Sequence, residues 1–139
     1  MEDLDSGLQN IDIKQKEESV LEMYSDFPDY DDVVVSDYKY MAYRVVPVWI
    51  TELFSQRFHW PAQILDLGCG TGLGSREFFR YPERYIVTGL DLVPAMLERA
   101  ARQPYNKLIT SNIEGCEWPV ADASTDAIIM LGVMEFIVV

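Results

Sequence analysis

Residues 64–74 read Ile-Leu-Asp-Leu-Gly-Cys-Gly-Thr-Gly-Leu-Gly, an apolar run that ends in an acid and passes straight into alternating glycines. No other stretch narrows the possible folds so far. The apolar run predicts a strand over Gln63–Leu67, and the pattern of Leu73–Phe79 predicts a helix, so the glycines must make the turn between them. Glycine adopts backbone angles that other residues resist and lets a ligand come close to main-chain N–H groups. The alternation then continues. Tyr85–Asp91 reads as a strand, Pro94–Arg102 as a helix with proline in its first turn, and Lys107–Ser111 and Asp126–Leu131 as two more strands. Strands that alternate with helices need crossover connections, which implies an α/β fold with a parallel sheet flanked by helices on both faces. The near-continuous apolar run Ala127–Leu131 fits a strand buried on both sides.

The chain before the first strand divides in two. Residues 1–13 read as an acidic, flexible leader, and residues 14–62 as a helical segment. A short helix is expected from Gln15 to Tyr24, on Val20, Leu21 and Tyr24, with Pro28 ending it. A longer helix is expected over Tyr38–Arg57, capped by Ser36 or Asp37, with Met41, Val45, Val48, Trp49 and Leu53 on its apolar face. Pro47 inside it predicts a kink or a break. His59, in the loop before the first strand, reads as structural.

Composition excludes several classes. With 139 residues, about half of them apolar, the chain suits one domain with a core. Two cysteines in unrelated contexts and one histidine build neither a disulfide scaffold nor a zinc site, so no metal is expected. The apolar runs are far short of the roughly 20 residues a membrane helix needs. The start, Met-Glu-Asp-Leu-Asp, has the wrong charge for a secretory or mitochondrial leader, which makes the cytoplasm the default. A net charge of −12, with eleven acids before Val33, argues against nonspecific nucleic-acid binding.

A second acid, Asp91, closes the second strand. A carboxylate offers two acceptor oxygens, which suits the paired hydroxyls of a ribose, so the glycine turn and the two acids together point to a nucleotide-type cofactor. The detail is more specific. Asp66-Leu67-Gly68-Cys69-Gly70-Thr71-Gly72 resembles the first motif of the class I S-adenosylmethionine-dependent methyltransferases, and the resemblance runs from about Tyr24 to the C-terminus. A dinucleotide turn of the Gly-x-Gly-x-x-Gly kind would place glycine where Leu73 stands.

The resemblance implies a Rossmann-like class I methyltransferase fold, with residues 63–139 forming the N-terminal part of the S-adenosylmethionine-binding domain. It implies that the backbone of Gly68, Cys69 and Gly70 lines the methionine part of the cofactor, with Asp66 orienting its ammonium group. Asp91 would accept from both ribose hydroxyls, and Leu92 and Met96 would touch the adenine or ribose, with simple core packing an open alternative for Met96. Asn112-Ile113 stands where the family often has Asp and an apolar residue; an ordinary turn asparagine is the other reading. Leu131 or Met134 would touch the cofactor, and Glu135 reads as an exposed helix residue rather than a base. Tyr24, Phe27 and Tyr30-Asp31 resemble the family's lid, with aromatic packing of the helix as the alternative.

The expected activity is in-line methyl transfer to an unidentified acceptor, a small molecule or a protein, with no catalytic residue named. The family sheet has seven strands ordered 3-2-1-4-5-7-6, and this chain stops just past the fourth. That predicts an incomplete fold in which cofactor binding could outlast turnover and the fourth strand's exposed apolar edge invites self-association. Two other classes stay open: a noncatalytic S-adenosylmethionine-binding or interaction protein, and an NAD-dependent oxidoreductase, which the turn pattern disfavours.

Overall fold

The computed structural model describes residues 3–27, 29–37, 39–56, 59–114 and 117–131, with 3–13 described as backbone. Four strands, β1 (Ala62–Leu67), β2 (Tyr85–Asp91), β3 (Lys107–Thr110) and β4 (Ala127–Ile129), form one sheet in the order β3-β2-β1-β4. Every pairing is parallel. Apolar and β-branched side chains on β1 and β2 favour the pleated backbone, and Gly68 at the exit of β1 frees the chain to turn. Asp66 is paired with Gly89 on one side and with Ile129 on the other. Polar side chains lengthen the ladder beyond the strands: Asn106 exchanges bonds with the Val87 backbone, and Asp126 does so with Gln63.

Helix α1 spans Asp3–Ser25, α2 the short turn Tyr30–Asp32, α3 Ala42–Leu53, α4 Arg76–Phe79 and α5 Pro94–Ala100. Side chains alternate across the sheet, and the two faces are covered differently. On one face Ala62, Ile64, Tyr85, Val87 and Ile129 pack with Phe78 of α4, against Val46, Ile50 and Phe54. On the other face Leu65, Leu67 and Leu90 lie under Ile113, Trp118 and Val120, which belong to a crossover with no helix among its described residues.

Several boundaries differ from expectation. Helix α1 begins well ahead of Gln15, since no proline interrupts residues 3–25. The segment Val33–Asp37 coils as a π-helical turn, so neither Ser36 nor Asp37 caps α3, which starts at Ala42 and passes into a 3-10 turn, Phe54–Gln56. Pro47 does not break it: the helix runs through a fully buried proline ring. Leu73–Ser75 is a 3-10 turn rather than the start of α4, because Gly72 with φ +96° feeds it from the left-handed region.

The face of α3 is corrected as well. Met41, Val45, Val48, Trp49 and Leu53 are exposed, Trp49 at 60% and Leu53 at 77%. The sheet takes the adjoining stripe, with Tyr43 and Pro47 buried and Val46, Ile50 and Phe54 against the core. Both stripes are apolar at helical spacing, so periodicity could not choose between them. Nor is β4 buried on both sides, because it is the sheet edge and Ile128 is 53% exposed.

Candidate functional site

The C-terminal ends of β1, β2 and β3 open into one cleft of about 790 Å³, measured out to its mouth. A parallel α/β sheet takes ligands there, next to the point where the strand order reverses. In this sheet β2 and β3 lie on one side of β1 and β4 on the other. Leu131, just past β4, reaches the cleft from across that point.

The glycine turn forms the floor. Gly68, Gly70 and Gly72 all have positive φ, and at Gly70 a Cβ would meet no atom within 4 Å. The missing side chain therefore leaves main chain open to a ligand. Gly72 serves packing instead: a Cβ there would come within 3.0 Å of the Tyr105 ring.

Asp91 ties the turn to the tip of β2. Its Oδ2 accepts the Gly70 N–H at 2.8 Å and its Oδ1 accepts the Val93 N–H at 2.9 Å. A carboxylate has about four acceptor positions, so some capacity remains beyond its backbone bonds. Burial raises its pKa, and the backbone N–H bonds from Val93, Gly70 and Leu92 hold the rise back. Beside it, Leu92 and Met96 line the cleft, and Met96 is almost wholly buried as well. Beyond β3, Asn112 and Ile113 complete this wall. The Asn112 side-chain oxygen already accepts the Glu114 N–H at 3.0 Å, the bond of a turn asparagine.

Asp66 and Cys69 lie elsewhere. They line a small adjoining hollow that also touches Gly68 and Gly70, with Tyr30, Tyr40, Tyr43 and Thr71. The Asp66 Oδ2 accepts two hydroxyls, Ser75 at 2.6 Å and Tyr105 at 2.8 Å. Burial pushes its carboxyl up to about 6, those two bonds lower it, and the Asp91 charge adds to the rise. The buried Cys69 thiol is also pushed up, first by burial and then by the nearby Asp66 and Asp91 charges, so it stays protonated.

Helix α1 roofs the cleft. Lys16, Glu17, Val20 and Tyr24 line it from above, with Tyr30 of α2 beside them. Tyr24, Phe27 and Tyr30 form an aromatic cluster with centroids 5.6–6.4 Å apart. Burial, aided by Tyr24 and Asp31, pushes Tyr30 up to about 12, so its hydroxyl keeps its proton. The roof is held at three places. Lys16 pairs with Glu114 at 2.8 Å, Arg99 donates to the Phe27 carbonyl, and Asp31 takes the Thr71 hydroxyl at 2.5 Å and Arg76 at 3.4 Å.

Of the residues singled out from sequence, Tyr24, Gly68, Gly70, Asp91, Leu92, Met96, Asn112, Ile113 and Leu131 thus meet in one cleft. Asp66 and Cys69 sit in the adjoining hollow, and exposed His59 is not part of the cleft lining. Met134 and Glu135 lie outside the described residues. Sequence reasoning missed Lys16, Glu114, Ser75 and Tyr105. Lys16 carried a signal, as one of two lysines in an acidic stretch. Tyr105 carried none, since only the fold brings it to Asp66. Among the described residues, no group of three or more His, Cys, Asp or Glu side chains could hold a metal ion, and no helix is long and apolar enough to cross a membrane.

The family model described as a methyltransferase domain matches residues 64–138, more than half of the chain. The chain belongs to that family. Two curated relatives of this methyltransferase domain are each named a malonyl-[acyl-carrier protein] O-methyltransferase. The one from Serratia marcescens is 43% identical over 65 residues, covering 46% of this chain and 24% of that protein. The one from Halorhodospira halophila is 36% identical over 74 residues, covering 53% of this chain and 23% of that protein. The matches thus reach less than a quarter of either relative's length. Among solved structures, magnesium protoporphyrin IX methyltransferase from Synechocystis, with bound S-adenosylmethionine, superposes with a TM-score of 0.63 at 16% identity. That match covers 88% of this chain and 64% of the other chain, and it shows a common fold.

Proposed function

We propose that this methyltransferase domain binds S-adenosylmethionine in the cleft at the tips of β1–β3 and transfers its methyl group in line to an acceptor. The observation that carries the reading is the Asp91 carboxylate, which lines the cleft and is bonded to the Gly70 N–H on its floor with acceptor capacity left over. A carboxylate at the tip of β2 suits the hydroxyls of a ribose. Leu92, Met96 and Ile113 offer the apolar wall an adenine needs, and Asn112 keeps one acceptor position for the adenine amino group. The open side of Gly70 leaves room for the ligand to lie against main chain. Asp66, in the adjoining hollow, is a carboxylate in need of a positive partner, and an amino-acid ammonium supplies one.

S-adenosylmethionine supplies a methyl group on a positively charged sulfur; the acceptor lone pair forms the new bond as the old bonding pair returns to sulfur. The chain's residues bind, orient and exclude water. Tyr24 and Tyr30 present aromatic faces and a protonated hydroxyl, and a cation near such a face gains about 0.5–2 kcal/mol. Holding the acceptor about 3–3.5 Å from the methyl in the line of attack supplies much of the rate. The acceptor is a small molecule or a protein group; the two curated relatives, by their names, methylate an oxygen of a carrier-bound malonyl group.

Calorimetric titration with S-adenosylhomocysteine tests the reading. Binding is expected in the parent, and Asp91→Ala is expected to lose about 1.5–3 kcal/mol, the scale of hydrogen bonds to a charged group. In thermal shift assays S-adenosylhomocysteine should raise the melting temperature more than NAD does. The opposite order would replace this reading with a dinucleotide enzyme. Transfer of a radiolabelled methyl group to a lysate fraction reports turnover, and binding without transfer would leave a noncatalytic cofactor-binding protein.

A further inference from the structure

Tyr105 lies in the segment joining α5 to β3 and is not among the residues lining the cleft, yet the site is organised around it. Its hydroxyl reaches back to Asp66 on β1 at 2.8 Å. Its ring fills the space that two glycines leave. A Cβ on Gly89 of β2 would lie 3.0 Å from that ring, and a Cβ on Gly72 of the glycine turn would also lie 3.0 Å from it. Gly89 is the β2 partner of Asp66, so its bare Cα is what lets the ring reach across the neighbouring strand to the acid. Phe79 of α4 closes the far side edge-on, with ring centroids 4.8 Å apart. One side chain thus touches the acid at the exit of β1, the turn that follows it and the adjacent strand.

We infer that Tyr105 is a positioning residue, which holds the Asp66 carboxylate and the glycine turn in the geometry that receives the amino-acid end of the ligand. This rests on the proposed function. Desolvation keeps the Tyr105 phenol protonated, so it donates, and its donation favours the ionised form of Asp66. The other groups facing Asp66 do not replace it. Ser75 donates to the same oxygen, Asp91 on β2 raises the proton affinity of Asp66, and Cys69 in the turn is a neutral thiol. Tyr30, Tyr40, Tyr43 and Thr71 share the hollow on its open side.

The test is Tyr105→Phe, which keeps the ring and removes the hydroxyl. S-adenosylhomocysteine affinity near pH 7 is expected to fall three- to thirtyfold while the melting temperature stays within a few degrees of the parent. The pH at which affinity falls on acidification should move upward, because Asp66 ionises less readily without the second donor. Carboxyl-carbon NMR of Asp66 in the ligand-free chain should show the same upward move, and Ser75→Ala should move it in the same direction if Tyr105→Phe fails to fold. Parent-like affinity, pH profile and carboxyl titration would overturn the inference and leave the functional reading intact. A lower affinity with an unmoved pH profile would also overturn it, as a purely structural effect. No binding by the parent would remove the functional reading and this inference with it.

Discussion

Asp66 is 3% exposed, and both hydroxyls it receives go to one oxygen. Its carboxyl sits at about 6 against an ordinary 3.8, so the folded chain holds that proton more tightly than the unfolded one does. For a raised carboxylate the stabilising contribution is full below pH ~4, falls as pH rises towards 6 and is gone above it, a change on the order of 2–3 kcal/mol. Asp66→Asn keeps an acceptor for Ser75 and Tyr105 and removes the titration. Urea unfolding of this variant between pH 4 and 7.5 should therefore lack that fall, while the parent shows it. Parallel curves for the two proteins would show that Asp66 is better solvated than its burial indicates.

Single elements carry different amounts of information in their sequence. The strands were legible because β1 and β2 are apolar runs bounded by proline, glycine and acid, and α5 because Pro94 opens it. The glycine turn, Asp91 and the end of β3 were legible because chemistry at strand tips is local in sequence. The buried face of α3 was not, since Trp49 and Ile50 are neighbours on two adjoining apolar stripes and only the sheet decides between them. Partners distant in sequence, such as Tyr105 for Asp66 or Glu114 for Lys16, leave no trace in one chain. The corrected face can be checked directly. Trp49→Lys should change stability by no more than about 0.5 kcal/mol, and Ile50→Ala should cost about 1–3 kcal/mol in denaturant titration. The reverse ranking would restore the other face. The Lys16–Glu114 pair, each side chain about a quarter exposed, should give a coupling of about 0.2–1 kcal/mol in a double-mutant cycle. Zero coupling would mean that the aromatic cluster and Asp31 hold α1 without it.

Across the whole molecule, the sheet is guarded unequally. Phe78 on the helical side is fully buried, whereas Ile128 on the edge strand is half open beside a groove formed with Leu65, Trp118 and Val120. Phe78→Ala should cost about 3–5 kcal/mol. Ile128→Lys should leave the melting temperature nearly unchanged and raise the concentration at which light scattering first reports association, because a charged edge resists pairing with another chain. Scattering identical to the parent's would mean that association, where it occurs, uses another surface. The contact between Thr71 and Asp31 bears on the molecule as a working whole. The same short turn floors the cleft and grips the cover above it, so whatever steadies that turn from below also tightens the grip from above. If the proposed cofactor binds there, reciprocity requires that loosening the cover at Asp31 weaken its affinity, although Asp31 is not among the residues that line the cleft.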